Sequence, residues 1–378
     1  MIGAPEEPTL YVATLLVLVG ASALGLALAA SAGGTAPATG TAETAGVDVR
    51  VTDEGTRYIV PPSRLRQGCP GGTDCIPSID DPAFQSADRA GWLADEDLVI
   101  GVEIDGDARA YPLRILAVHE IVNDEVGGQP VAVTYCPLCR SGLVFDRRVG
   151  NATLSFGVSG KLLRANLVMY DRRTGTYWSQ LNGSAVVGPL VPRRLQMLPS
   201  TVTTWEEWRA SHADTRVLSR NTGIFPPATY GSNPYAGYAD DAAVGFGVNE
   251  VDGRLPAKTV VYGVTVGNAS RAYPAETVAA AGAVNDRIGD IPVLVVADGG
   301  GGATVFVREV SGRTPTFSVE NGRLVDDRGN RWSVGGEALD GPDEGTQLDR
   351  LNSHGIYWFA WSEFHPETGV YRGRGSGG

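Results

Sequence analysis

The sequence predicts a strand-rich α+β protein made of two internally duplicated halves packed about a pseudo-twofold, preceded by one N-terminal transmembrane helix. Three observations carry this reading. Residues Leu10 to Ala30 hold no charge, roughly the length of a bilayer-spanning helix. A long segment of the chain recurs in order. Within each copy, short alternating apolar runs are separated by Gly, Asn and Asp turns, with one main helix-like stretch.

The apolar run is expected to anchor the chain in a membrane, with the bulk of the protein outside the cytoplasm. The small-residue end Leu28-Ala29-Ala30-Ser31-Ala32 also permits cleavage as a signal. With residues 1–31 as anchor or signal, the Gly, Ala and Thr-rich stretch that follows makes 32–56 a flexible tether. An N-terminal extension, 57–95, carries Cys69 and Cys75.

The first copy spans 96–220. Val99 to Ile104 reads as a strand, Asp105-Gly106 as a tight turn and Ala108 to Tyr111 as the return strand. Pro112 opens a helix whose apolar positions are Leu113, Ile115, Leu116 and Ile121, and Asn123-Asp124 caps or turns its end. Gly127-Gly128 leads into the strand Val131 to Tyr135, and short strands follow at 142–147, 153–158, 167–170 and 177–180. A second helix lies near Trp205 to His212. A Pro, Gly, Asn and Tyr-rich connector, 221–256, precedes the second copy, 257–372, and a tail, 373–378.

The two copies align closely. Gly101-Val-Glu-Ile-Asp-Gly-Asp-Ala-Arg-Ala-Tyr-Pro112 recurs as Gly263-Val-Thr-Val-Gly-Asn-Ala-Ser-Arg-Ala-Tyr-Pro274, and Val122-Asn-Asp124 recurs as Val284-Asn-Asp286. Trp205, Trp208, His212 and Thr215 face Trp358, Trp361, His365 and Thr368. Residues kept in both copies are explained by the shared fold, whereas polar residues present in one copy are candidates for chemistry. His119 falls opposite Ala281, Cys136 opposite Asp298 and Cys139 opposite Gly301. Their joint loss is what a single abandoned site would leave.

Cys136-Pro137-Leu138-Cys139 admits several chemistries. A thioredoxin-like pair needs a helix after the first cysteine, yet Ser141-Gly142 and the strand-like Leu143-Val-Phe145 follow. A Cys-Pro-x-Cys turn also resembles a metal knuckle, which supplies two ligands. His119 is then the natural third ligand, the fourth being Cys69, Cys75, His354, Met169 or an open position, in a set that suits zinc or copper(I). Glu120, Asp124, Tyr135 and Arg140 are the expected surrounding partners, and a cation beside the pair would lower a thiol pKa. Cys69 and Cys75 enclose a flexible loop and are expected to pair as a disulfide.

Ile76-Pro-Ser-Ile-Asp-Asp-Pro82, Arg109-Ala-Tyr-Pro-Leu-Arg-Ile-Leu116, His119-Glu-Ile-Val-Asn-Asp124, Thr134-Tyr-Cys-Pro-Leu-Cys139 and Asn166-Leu-Val-Met-Tyr-Asp171 together resemble the family known as domain of unknown function 3179. The resemblance runs from about Ile76 to the C-terminus. It implies a bacterial or archaeal protein, often with an export signal or lipoprotein anchor, and supplies no activity.

The formal net charge of -12, with Lys only at Lys161 and Lys258, argues against a nucleic-acid partner. The leading expectation is soft-metal binding through Cys136, Cys139 and His119. The alternatives are a thiol-disulfide oxidoreductase using the cysteine pair, and a surface module that binds glycans or proteins through aromatics near Tyr230 to Tyr238 and Trp358 to Trp361.

Overall fold

The computed structural model describes residues 47–245, 248 and 251–373. The expected transmembrane helix lies outside these residues, and among them no helix is long and apolar enough to cross a membrane. The α+β expectation is corrected as well: strand makes up 41% and helix 12%. The cause is visible in the helices, each of which is stopped after seven residues by a change of backbone conformation.

The expected tether contributes β1 (Arg50–Val51), and the N-terminal extension three further short strands, β2 (Arg57–Tyr58), β3 (Arg66–Gln67) and β4 (Phe84–Ser86). The first copy begins with β5 (Leu98–Ile104), β6 (Asp107–Pro112), α1 (Leu113–His119), β7 (Ile121–Val126), β8 (Gln129–Cys136) and β9 (Ser141–Asp146). It continues with β10 (Arg148–Val149), β11 (Ala152–Thr153), β12 (Phe156–Leu163), β13 (Asn166–Asp171), β14 (Tyr177–Ser179) and β15 (Ala185–Val187). It closes with β16 (Met197–Leu198), β17 (Thr201–Thr204), α2 (Trp205–Ser211) and β18 (Arg216–Leu218).

The second copy repeats this order. It has β19 (Val260–Val266), β20 (Ala269–Pro274), α3 (Ala275–Ala281), β21 (Ala283–Ile288), β22 (Ile291–Ala297) and β23 (Ala303–Val307). A small sheet of β24 (Phe317–Glu320), β25 (Arg323–Asp326) and β26 (Arg331–Trp332) follows, then β27 (Arg350–Leu351), β28 (Ser353–Tyr357), α4 (Trp358–Phe364) and β29 (Gly369–Val370).

Sheet order shows the duplication directly. The run β17-β5-β6-β18 in one copy matches β28-β19-β20-β29 in the other, and β16-β9-β8-β7 matches β27-β23-β22-β21. The last strand of each copy joins in parallel, β18 on β6 and β29 on β20. Both copies use the same fastenings. Trp208 covers Gly101, where a Cβ would stand 2.2 Å from the ring, and Trp361 covers Gly263 at 2.3 Å. Their indole N–H groups donate to Thr215 at 2.8 Å and Thr368 at 3.0 Å. Tyr111 donates to Asp124 beside Arg109, and Tyr273 to Asp286 beside Arg271.

Asn123 and Asp124 sit within a strand, not at a helix end. Glu120 adopts the left-handed conformation (φ 58°), its N–H closing back on the Leu116 carbonyl, so α1 stops at His119 and Ile121 already pairs with Thr134. Asn123 instead ties β7 to β12 by a reciprocal pair of bonds with the Phe156 backbone. The expected tether is likewise partly ordered, because β1 and β2 extend the sheet at β15.

The copies share their largest apolar cluster, which joins Cys136, Cys139, Phe145 and Trp178 to Val261, Trp358 and Trp361. Equivalent turns reach across reciprocally. The Tyr357 N–H donates to the Cys139 carbonyl at 2.9 Å, while Gly300 lies against Thr203 and Thr204 of the first copy.

Candidate functional site

The Cys-Pro-Leu-Cys segment is a hairpin loop. Cys136 ends β8 and pairs with Ser141 at the start of β9, while Arg140 takes a positive φ of 57° to close the turn. Both thiols are free and buried, with their sulfurs 3.4 Å apart. The tip of the β12–β13 hairpin lies against them, the Ala165 carbonyl being 3.1 Å from the Cys139 sulfur and 3.8 Å from that of Cys136. Arg164 and Ala165 form this tip, both at positive φ (51° and 60°) without being glycine, a conformation that costs roughly 1 kcal/mol or more for each residue.

Around the pair lies a polar shell with no exposure to solvent. Asn166 donates to the Gln180 side-chain oxygen at 2.8 Å and lies 3.7 Å from the Cys139 sulfur. Ser141 donates to the same Gln180 oxygen, and the Gln180 amide donates to Thr134. Sequence reasoning missed these four residues, although the duplication marks them: Thr134 stands opposite Val296 and Gln180 opposite Val334. The β12–β13 hairpin is also single-copy in its length, for β24–β25 pairs only Phe317–Glu320 with Arg323–Asp326.

The carboxyl nearest the thiols in effect is that of Glu120. It is buried and accepts no hydrogen bond among the described residues, and it lines a cavity of about 230 Å³ with Leu138, Leu167, Cys69, Tyr235 and Tyr238. Burial first, then the Cys136 charge, holds its pKa well above the usual carboxylate range. The equivalent residue in the second copy is Gly282, also at positive φ (67°). The first copy thus places a carboxylic acid where the backbone favours glycine.

The two thiols differ. Burial works against a thiolate at Cys136, but hydrogen bonds from the Cys139 thiol and from the backbone amides of Leu167, Cys139 and Leu138 outweigh it and draw its pKa down. Burial and the neighbouring Cys136 push Cys139 far up. In the second copy the same turn holds a carboxyl group: Asp298 accepts from the amides of Gly300 at 2.9 Å and Gly302 at 2.8 Å.

His119 does not join the cysteines. Its ring nitrogens are taken by the Pro77 carbonyl at 2.6 Å and the Tyr230 hydroxyl at 2.7 Å, and its ring packs against Phe225 and Tyr230. The early stop of α1 is the reason, since it turns the imidazole toward the extension and connector. Met169 is buried in the cluster that holds the thiols. His354 faces Gly263 on β19 and lies edge-on to Trp361, and burial followed by the His365 charge pushes its pKa down to about 4. Among the described residues, no group of three or more His, Cys, Asp or Glu is placed to hold a metal ion.

Arg140 points away from the sulfurs. Its guanidinium lies against Gly355, and its charge acts on Tyr135, Tyr262 and Tyr357. Tyr135 is itself buried, which raises its pKa. Cys69 and Cys75 form a disulfide with Cα atoms 6.4 Å apart. The aromatics expected to form an exposed binding surface are largely buried: Tyr230, Trp358 and Trp361 serve the core and have no free face.

The family model described as protein of unknown function, DUF3179, matches residues 73–368. The chain belongs to this family. None of the curated proteins and none of the solved structures matches it. The matched segment contains the cysteine hairpin, Glu120, the polar shell, the first copy and the second copy as far as Thr368.

Proposed function

We propose that Cys136 and Cys139 form a dithiol redox pair that exchanges with a disulfide of a partner molecule, with Glu120 as its proton store. The observation that carries this is the geometry of the pair: two free, buried sulfurs 3.4 Å apart on one hairpin turn, beside the Glu120 carboxyl, which accepts no hydrogen bond among the described residues. The thiolate is the nucleophile in such exchange.

The Cys136 thiolate attacks one sulfur of the partner disulfide, forming a mixed disulfide and expelling the other sulfur as a thiolate, which takes the Glu120 proton. The Glu120 carboxylate then accepts the Cys139 proton, and the Cys139 sulfur attacks Cys136. The protein disulfide forms, the second partner thiolate leaves and takes a proton from solvent, and two electrons have passed to the partner. The sulfurs must approach from 3.4 Å to about 2.05 Å. Tyr235 and Tyr238 of the connector line the cavity beside Glu120. The Cys69–Cys75 disulfide favours an oxidising, extracytoplasmic setting.

A second reading, a zinc or copper(I) ion held by the two sulfurs, is favoured by the tight hairpin that presents both from one turn. One preparation separates the two. Metal-free Cys139→Ser protein treated with oxidised glutathione is expected to gain one glutathione at Cys136, seen by intact and peptide mass spectrometry, while Cys136→Ser gains none at Cys139. Absence of the adduct, together with stoichiometric zinc or copper that disappears in Cys136→Ser, would replace the redox reading by the metal one.

A further inference from the structure

The two copies differ at one sheet edge in a way that is independent of the thiol site. In the first copy the outer edge of β7 is covered by the chain's own extension. Ile79 pairs in parallel with Val122, its N–H donating to the Ile121 carbonyl at 2.9 Å and its carbonyl accepting from Asn123 at 2.8 Å. Ile79 is 1% exposed, and the next residue, Asp80, accepts from the Asn123 side-chain amide at 2.7 Å.

In the second copy β21 is the edge of its sheet, and among the described residues nothing pairs with its outer side. A groove of about 740 Å³ lies there, lined by Ala280, Ala281, Ala283, Asn285, Phe317 and Val319. Ala283 and Asn285 occupy the positions of Ile121 and Asn123. Asn285 keeps the reciprocal bonds to the Phe317 backbone, 2.7 and 2.8 Å, that Asn123 makes to Phe156, but among the described residues it has no counterpart of Asp80. Val319 on the groove wall is 43% exposed. An unpaired edge beside an apolar groove is the arrangement that takes up an added strand.

We propose that the second copy binds an extended peptide strand of a partner protein, parallel to β21, in which an apolar residue is followed by an acidic one. The first copy supplies the chemistry: the apolar side chain fills the groove as Ile79 does, two backbone bonds run to the Ala283 carbonyl and the Asn285 N–H, and the acid accepts from the Asn285 amide. Ala280 and Ala281 stand where the first copy has Val118 and His119, and both line the groove.

The test uses the full chain and a labelled synthetic peptide with this protein's own sequence from Ile76 to Phe84, followed by fluorescence anisotropy. Saturable one-to-one binding is expected, with the Asn285 amide gaining protection from hydrogen exchange. Replacing the peptide's Ile79 with Gly, or Ala280→Arg in a protein whose circular dichroism is unchanged, should each weaken binding at least about tenfold, the scale of one lost apolar anchor. No binding at millimolar peptide, or binding indifferent to both changes, overturns the proposal. Self-association that Ala280→Arg abolishes while the peptide fails to bind also overturns it, and makes a second copy the occupant.

Discussion

Glu120 concentrates the argument at the scale of single residues. Its backbone conformation suits glycine, its carboxyl is buried and accepts no hydrogen bond among the described residues, and its twin is Gly282. Retaining it therefore opposes stability twice. Glu120→Gly is expected to stabilise the protein by roughly 1 kcal/mol from the backbone alone, measured by urea denaturation, while slowing mixed-disulfide formation. Glu120→Gln isolates the charge. Because the folded pKa lies above the unfolded one, the native state holds a proton that the unfolded chain has released. The stabilising contribution of the neutral acid is complete below about pH 4.3 and is lost as pH rises through the folded value. Wild type should thus lose stability relative to Glu120→Gln as pH increases from 4 to 8, and parallel curves would contradict the assignment. The cysteines were legible in the sequence because their twins are Asp298 and Gly301. Glu120 was named only as a supporting partner, since a left-handed backbone is invisible without the fold. His119 was misread because its loss in the second copy coincides with loss of the extension contact through Pro77, a structural reason for a single-copy residue.

Element by element, the alternating apolar pattern and the Asp105-Gly106 and Gly127-Gly128 turns made the hairpins readable, and the same pattern in both copies made the duplication readable. The end of α1 was not, because Ile121 continues the helical apolar spacing and only the Glu120 backbone, with the pairing of β7 on β8, ends the helix. Nor was the reach of the β12–β13 hairpin, whose length matters only once its tip is seen against the thiols. The repeated fastening of tryptophan on glycine offers a matched test. Gly101→Ala and Gly263→Ala place a methyl 2.2 and 2.3 Å from an indole, and each should cost about 1–3 kcal/mol, as overpacked cores do. Equal losses in denaturant midpoint are expected; an effect in one copy alone would mean that the copies do not share this fastening.

For the whole molecule, one apolar cluster crosses from copy to copy and contains the thiols. The second copy therefore supports the site although it holds no cysteine: Tyr357 bonds to the Cys139 carbonyl, and Arg164 at the hairpin tip bonds to the Glu363 carbonyl at the end of α4. Unfolding should be a single transition, coincident by circular dichroism and tryptophan fluorescence, and Trp358→Ala should lower the midpoint of the whole protein. Two separated transitions would contradict a shared core. The thiol reading itself is tested most directly by redox titration of the metal-free protein against dithiothreitol buffers, with Cys136 and Cys139 quantified by differential alkylation. The redox reading predicts one reversible two-electron transition in which both cysteines titrate together. Cysteines that remain reduced at every potential, or that oxidise separately and irreversibly, would contradict it.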